Sequence, residues 1–523
     1  MSSRSVTFFR SLPSLIETNP KKVFWYFVGL HFFSWTIFST ISSPNAPLDV
    51  IEGYAWGREW LWGTYKHPPM QAWVLEILGR LTFKASWSHF LASQVCITAA
   101  FWAVWQTGRR ILDDTQALIG VLLLEGAIYY NFTSTEFNPN VLQIAFWALA
   151  VWSFYRGVKD NRTFDWVLLG LWSAGGMYSK YSTILLIGTF AVLTITRPEA
   201  RRRLKSHGPY LAFGVGVILF LPHLVWLWNN NFLPFEYMMD RMTDEGPATK
   251  FVTPPEFFPT FLLSPIVFVV AQLLALLPAT ILLLDLDGAK EKQKPSKSCK
   301  FAQPFLAAVT FAPMIITLLA SAIFHFKVHD MWGAPFFNFA GLWAVTKFYP
   351  RGAVAGMRFV AVWSLLFLAG LLSSAGTNLL SPYIANKNAR IHFPGKSLAK
   401  IITHNWHEKY NVPLSYVIGN TWEAGNVAFY SKDRPHLFIN ANTTISTWIN
   451  TDDLRQKGGV IIWCQRPRAY CTKEIPDDIA KLFPEAITQN AIEMPYQTEA
   501  NVPLLVMGWA IIPPKMSAMT DLP

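Results

Sequence analysis

The run VFWYFVGLHFFSWTIFSTI at residues 23–41 follows Lys21-Lys22 and leads, a few residues on, into LDVIEGYAWGREWLWGTYKHPPM at residues 48–70. About 20 apolar residues are needed to cross the hydrocarbon core of a bilayer, and the first run has that length. Behind it stand two acids one helical turn apart, Asp49 and Glu52, the indoles of Trp56, Trp60 and Trp62, and a basic pair, Lys66-His67. Pro68-Pro69 stiffens the chain just after that pair. An apolar span that opens directly into acids, indoles and a rigid cationic turn puts those groups at a water–lipid boundary.

The rest of the chain extends this pattern. Of 523 residues, 52% are hydrophobic, with 23 Trp and 40 Phe, and only 15% are charged, too apolar for an ordinary soluble protein. The chain reads as a polytopic α-helical membrane protein with about eleven apolar segments, starting near Val23, Leu91, Ala117, Val141, Trp166, Thr183, Tyr210, Phe257, Pro304, Ala334 and Phe359. Basic residues occupy every second connection: Lys21-Lys22, Arg109-Arg110, Arg156 with Lys159 and Arg162, Arg197 to Lys205, Lys290 to Lys300, then Lys347, Arg351 and Arg358. Cytoplasmic loops carry such an excess, so residues 1–22 are expected inside and the acid- and indole-rich loops outside. The run at 23–41 has no small-residue cleavage site after it and reads as an uncleaved anchor.

This anchoring explains the net charge of +11 without nucleic acid, because the basic runs sit beside spans and lack interleaved stacking aromatics. After about Ser381 the composition turns polar. Runs such as 415–419, 427–430, 437–439 and 460–463 look like strands, and Asp477 to Leu482 like a helix. The expected organisation is a multi-span domain at 23–380 and a C-terminal α/β extracytoplasmic domain at 381–523. Cys464 and Cys471 both fall in that exported domain, where a disulfide can persist; the sequence leaves the bridge open.

A carboxylate beside a half-buried cation at the membrane surface can act as general base on a hydroxyl while the cation stabilises a departing phosphate. Asp49 is the candidate base, with Glu52 beside it; alternatively Asp49 caps a helix beginning at Val50. Lys66-His67 before Pro-Pro can hold cations at headgroup depth, or serve as a plain interfacial anchor. The tryptophans, Trp73 included, suit sugar stacking or an aromatic belt. The second outer loop adds Glu136, close to Asn138 capping the next helix and Pro139 at its first position. Lys180-Tyr181 lies in an apolar turn, where an ammonium is costly unless it snorkels. His325, Lys327, His329 and Asp330 close a span; the two histidines lack metal-site order, and no metal or cofactor is expected.

Taken in this order, the motifs resemble the polyprenyl-phosphate-sugar-dependent glycosyltransferases of the GT-C superfamily: the protein O-mannosyltransferases, the lipid A aminoarabinose transferases and the lipopolysaccharide galacturonosyltransferases. The resemblance covers about residues 20–380 and implies the GT-C fold. It also implies an acidic first-loop site at Asp49 and Glu52, a carrier-phosphate contact at His67 with Lys66 adjacent, and a second acid at Glu136. Lys180, Lys327 and His329 match positions that line the carrier-lipid cavity in that family, with Tyr181 and Trp332 beside them. Many members have adjacent first-loop acids and Glu-Lys-Pro-Pro; here the acids are three apart and Lys-His-Pro-Pro stands instead, so Lys66 is the alternative carrier of the charge.

The resemblance further implies inverting transfer from a polyprenyl-phosphate-linked sugar to a lipopolysaccharide core or lipid A acceptor, at the periplasmic face of a bacterial inner membrane. The first-loop run is closest to the galacturonosyltransferases, and a uronate suits Arg58, Lys66, Lys180 and Lys327. Aminoarabinose or hexose transfer is the alternative donor reading. A lipid-linked sugar flippase is the alternative class, but it calls for paired halves with interrupted helices, and no such internal symmetry is visible in the sequence.

Overall fold

In the computed structural model of the protein, residues 12–243, 260–286, 299–348, 355–385, 390–466, 471–500 and 502–515 are described. The expected span start at Phe257, the basic residue Lys290 and Arg351 lie outside them. The chain divides into two compact units. One takes the chain up to Phe38, Lys66–Met70 and Phe90–Ser374; the other takes Ser39–Tyr65, Gln71–His89 and the chain from Ala375. The first loop therefore contributes to both.

The first unit is helical. Four helix-forming segments, Pro139–Asp160, Gly208–Asn229, Lys300–Phe324 and Met357–Ile384, the last running past Ser374, are long and apolar enough to cross a membrane; counting each of three bent pairs as one span makes up to seven among the described residues. Eleven segments were expected. Pro20–Ser42 and Ser88–Gly108 have the length, at 23 and 21 residues. The segment expected from Ala334 gives only Ala340–Phe348, nine helical residues, about 14 Å at 1.5 Å per residue. The segment at Ala117 is broken: Asp114–Gly126 and Ile128–Thr135 meet at 87°.

Aromatic pairs and small residues hold these helices together. Phe154 stacks on Phe190 at 4.4 Å and Phe24 on Trp105 at 4.0 Å, geometries worth about 0.5–1.5 kcal/mol beyond burial. Gly120 and Gly341 let the Asp114–Leu122 and Ala340–Phe348 helices touch through backbone, since a Cβ on Gly341 would run into the Gly120 carbonyl oxygen. Other apolar side chains face outward, such as Phe213 at 73% and Ile218 at 70% exposure, the pattern a lipid solvent permits.

The second unit carries six strands, β1 (Tyr416–Gly419), β2 (His436–Ile439), β3 (Gly459–Arg466), β4 (Ile487–Thr488), β5 (Ile492–Met494) and β6 (Leu505–Ile512). They form one sheet in the order β2-β1-β3-β6-β4, with β5 also on β6. β1 runs parallel to β2 and β3, while β6 is antiparallel to β3, β4 and β5. Three of the four expected strands and the helix Asp477–Leu482 are present. The run 427–430 is instead the end of a helix, Glu423–Tyr430. Parallel β1 and β2 need a crossover, and Asn420 starts it by accepting from the Trp422 and Glu423 amides at 2.9 and 2.8 Å. Cys464 and Cys471 are joined by a disulfide.

Glycine packing separates two substitutions. Gly341→Ala is expected to lower the unfolding temperature, with about 1–3 kcal/mol of overpacking strain. Gly214→Ala, whose Cβ would meet nothing within 4 Å, is expected to leave it unchanged or raise it. Thermal unfolding in detergent, followed by tryptophan fluorescence, distinguishes the two.

Candidate active site

Within the membrane unit, three separate segments bring the expected cations together. The Lys66–Met70 segment places the Lys66 ammonium 5.7 Å over the Tyr237 ring, with the His67 ring edge-on to the same tyrosine at 6.2 Å. Tyr237 belongs to the Leu233–Thr243 helix. Lys180 follows the Thr163–Ser179 helix in extended backbone, and its Nζ donates to Asn140 Oδ1 at 2.7 Å. Asn140 sits in the first turn of Pro139–Asp160, which starts as the sequence suggested: Asn138 accepts from the Asn140 and Val141 amides, and Pro139 takes the first helical position. Lys180 thus stands at the positive end of a 22-residue helix.

Burial first, then the Lys180 and Lys66 charges, push the His67 imidazole down to about 3. His67 is therefore neutral near pH 7, a hydrogen-bonding group, and Lys66 and Lys180 carry the charge. Tyr181 forms an adjoining wall, with its hydroxyl 2.9 Å from His223 Nε2 and its ring 5.4 Å from Phe235.

The Leu233–Thr243 helix also reaches the second expected group. His329 Nε2–H donates to the Arg241 carbonyl at 3.0 Å, and the Lys327 amide donates to the Met242 carbonyl at 3.0 Å. The His329 ring lies 5.3 Å from Trp332. Burial holds the His329 pKa down against its bond to the Arg241 carbonyl. Tyr237 and Arg241 are four apart, on one helix face. Among the described residues no three His, Cys, Asp or Glu side chains group as metal ligands would. Glu136, partly buried, continues in extended backbone from the 3-10 turn Phe132–Thr135.

Asp49 and Glu52 belong to the second unit, on the helix Leu48–Arg58. Asp49 is not its cap: Pro47 holds the N-cap position and Asp49 lies in the first turn, where a carboxylate favours the helix dipole. Its carbonyl accepts from Gln71 Nε2 at 2.7 Å, while Glu52, 5% exposed, lies 3.5 Å from the Tyr65 hydroxyl. The two acids share a helix face at i, i+3. Gly53 and Gly57 let the Met70–Thr82 helix approach; a Cβ on Gly57 would meet the Ala72 carbonyl. Arg58 turns to the C-terminal region, donating through Nη2 to His436 Nε2 at 3.1 Å. Trp56 is buried edge-on to Tyr65, and Trp62 meets Trp73 at 5.1 Å while remaining 47% exposed.

Sequence reasoning missed Tyr237, Arg241, His223 and His436. An imidazole inside an apolar span, directly after Pro222, was a readable signal for His223; Gly53-x-x-x-Gly57 was one for the helix contact.

The neutral His67 makes stability depend on pH. Its folded pKa lies below the unfolded value, so its contribution is complete above about 6.5 and is lost as pH falls toward about 3. Unfolding midpoints measured from pH 7 to about 4 should therefore fall less steeply for His67→Gln than for the wild type.

A family model described as dolichyl-phosphate-mannose-protein mannosyltransferase matches residues 66–226. Lipopolysaccharide core galacturonosyltransferase RgtA of Rhizobium johnstonii is 20% identical over 411 residues, covering 77% of this chain and 80% of RgtA. Lipid A galacturonosyltransferase RgtD of the same organism is 23% identical over 184 residues, 34% of this chain and 38% of RgtD. The crystal structure of ArnT from Cupriavidus metallidurans bound to undecaprenyl phosphate matches with a TM-score of 0.60 at 13% identity, over 95% of this chain and 98% of ArnT. That likeness carries the fold, while the family model and the relatives carry the enzyme class: the chain is a glycosyltransferase with the GT-C fold.

Proposed function

We propose that the protein transfers galacturonic acid from a polyprenyl-phosphate donor to a lipopolysaccharide core or lipid A acceptor, at the periplasmic face of the inner membrane. The observation that carries this reading is the grouping of Lys66, His67 and Lys180, beside Tyr237 and the start of the Pro139–Asp160 helix. Two ammonium groups and a helix N-terminus suit a phosphate. The similarity to RgtA, spread over most of both chains, supports the sugar and the acceptor class. The Cys464–Cys471 bond supports an oxidising compartment for the C-terminal region.

In this mechanism Asp49 accepts the proton of the acceptor hydroxyl as its oxygen attacks the anomeric carbon. The bond between that carbon and the phosphate oxygen breaks on the opposite face, giving inversion through an oxocarbenium-like transition state. The leaving group departs as a phosphate anion, so it needs cations more than an acid, and Lys66 and Lys180 supply them. Neutral His67 donates a hydrogen bond. Glu52 supports Asp49, and Glu136 with its neighbouring amides binds sugar hydroxyls. Lys327 is the cation suited to a uronate carboxylate; an aminoarabinose, itself cationic, fits it less well.

The test uses protein in lipid nanodiscs, polyprenyl-phosphate galacturonic acid and a lipid A–core acceptor, with product mass as the readout. Asp49→Asn is expected to lower turnover by about a hundredfold or more. Lys66→Met is expected to lower turnover by a similar factor, with Lys66→Arg retaining more. A uronate-sized gain lost in Asp49→Asn supports the reading. A gain only with an aminoarabinose or hexose donor would replace the sugar, and no gain with any of the three would sink the donor class.

A further inference from the structure

The second unit holds a charged cluster that the transfer chemistry does not need. Arg58 at the end of Leu48–Arg58, Lys84 in the turn after Met70–Thr82, and Arg434 just past Glu423–Tyr430 line one narrow, solvent-facing recess, together with Tyr54 and Phe429. All three cations are partly buried.

Their charges do not cancel. Glu76 receives Arg434 Nη2 on both carboxylate oxygens, at 2.7 and 2.8 Å, and Arg80 Nε at 2.7 Å. Glu59 receives His436 Nδ1 at 2.7 Å and lies 3.7 Å from Arg58 Nε. Because His436 Nε2 faces an Arg58 N–H, it must accept, and the imidazole is the neutral Nδ1–H tautomer. The Lys84 ammonium donates to the Phe429 carbonyl at 2.7 Å, which brings no charge. Arg58, Arg80, Lys84 and Arg434 thus stand against Glu59 and Glu76, an excess of two positive charges. One guanidinium nitrogen, Arg58 Nη1, is buried with no acceptor among the described residues. Half-buried like charges and an orphaned donor are costly, and one added anion relieves both.

We propose that Arg58, Lys84 and Arg434 form an oxyanion site that takes one phosphate dianion, either the monoester of a lipid headgroup or free phosphate. A phosphate dianion matches the excess of two, where a carboxylate neutralises only half of it. Two guanidinium forks and one ammonium are the donors that phosphate recognition uses. The site rests on residues of the second unit alone and does not depend on the donor or sugar proposed above. Lys84 reports on its occupancy. Burial first, then Arg434 and Arg58, against Glu76, pull its pKa to about 8, so the unoccupied site loses one cation in a range where arginines do not titrate.

The experiment titrates inorganic phosphate into the full chain in phosphatidylcholine nanodiscs, followed by phosphorus NMR, and repeats it in nanodiscs containing phosphatidic acid. Saturable binding of one phosphate is expected. Lys84→Met should weaken it by about tenfold or more, and Lys84→Arg should keep it within a few fold. In the wild type alone, affinity should fall as pH rises through about 8, which serves should the variants fail to fold. The charged groups that act on Lys84 over that interval are Arg434, Glu76 and Arg58. If phosphatidic acid excludes free phosphate, the lipid headgroup is the ligand; if it does not, free phosphate is. Absence of saturable binding in both kinds of nanodisc overturns the proposal, as does binding that is indifferent to both Lys84→Met and pH.

Discussion

A helix that breaks inside a bilayer leaves backbone groups that lipid cannot hydrate, so a membrane protein tolerates breaks only where its own atoms replace water. The 87° bend between Asp114–Gly126 and Ile128–Thr135 obeys that constraint. The Ala127 and Tyr130 amides find carbonyls three residues back, at Leu124 and Ala127, and Asn131 Nδ2 caps the Glu125 carbonyl at 2.6 Å. Asn338 finishes the closure, accepting from the Tyr130 hydroxyl and donating to the Ile144 carbonyl. The chain then emerges as the polar stretch 131–140, ending on Asn140, which receives Lys180. The site's geometry is therefore set by how a helix break is satisfied.

The same constraint explains the choice of cations. An ammonium such as Lys180 is expensive in an apolar turn, and a helix N-terminus beside it adds positive potential instead of relief. Packing two lysines near a histidine that burial keeps neutral raises the cost further. Such a cluster suits the phosphate proposed for it. Tyr237 contributes its ring face to Lys66, a contact that tolerates charge without cancelling it.

Local features were legible in the sequence wherever physics is local. Asn138-Pro139 starts its helix as composition dictates, the Asp477–Leu482 helix falls where expected, and three of four strands are in place. The misreadings are long-range. Val427-Ala-Phe-Tyr has strand-like residues, yet parallel β1 and β2 require a crossover there, and topology overrode propensity. Ala117 begins an apolar run whose hydropathy conceals the bend at Gly126. At the site, Lys66, His67 and Lys180 were readable because charge near apolar spans is rare. Tyr237 was not, since one aromatic in a chain with 17 Tyr and 40 Phe carries no such signal. The partner of Arg58, His436, lies 378 residues away, beyond the reach of a local reading.

His31 and Glu125 show what a buried polar pair contributes in such a bundle. Their side chains, at 0% and 1% exposure, meet at 2.7 Å between Nδ1 and Oε2. A buried pair of this kind adds little over well-packed apolar residues, although losing one partner is severe. Stability is thus a poor reason for its presence. Position is a better one: Glu125 belongs to the last turn before the bend, and its carbonyl holds Asn131. Anchoring its carboxylate to the Pro20–Ser42 helix fixes where that turn ends. The pair thereby sets the direction in which the chain leaves the helix, and with it the place where Glu136 stands.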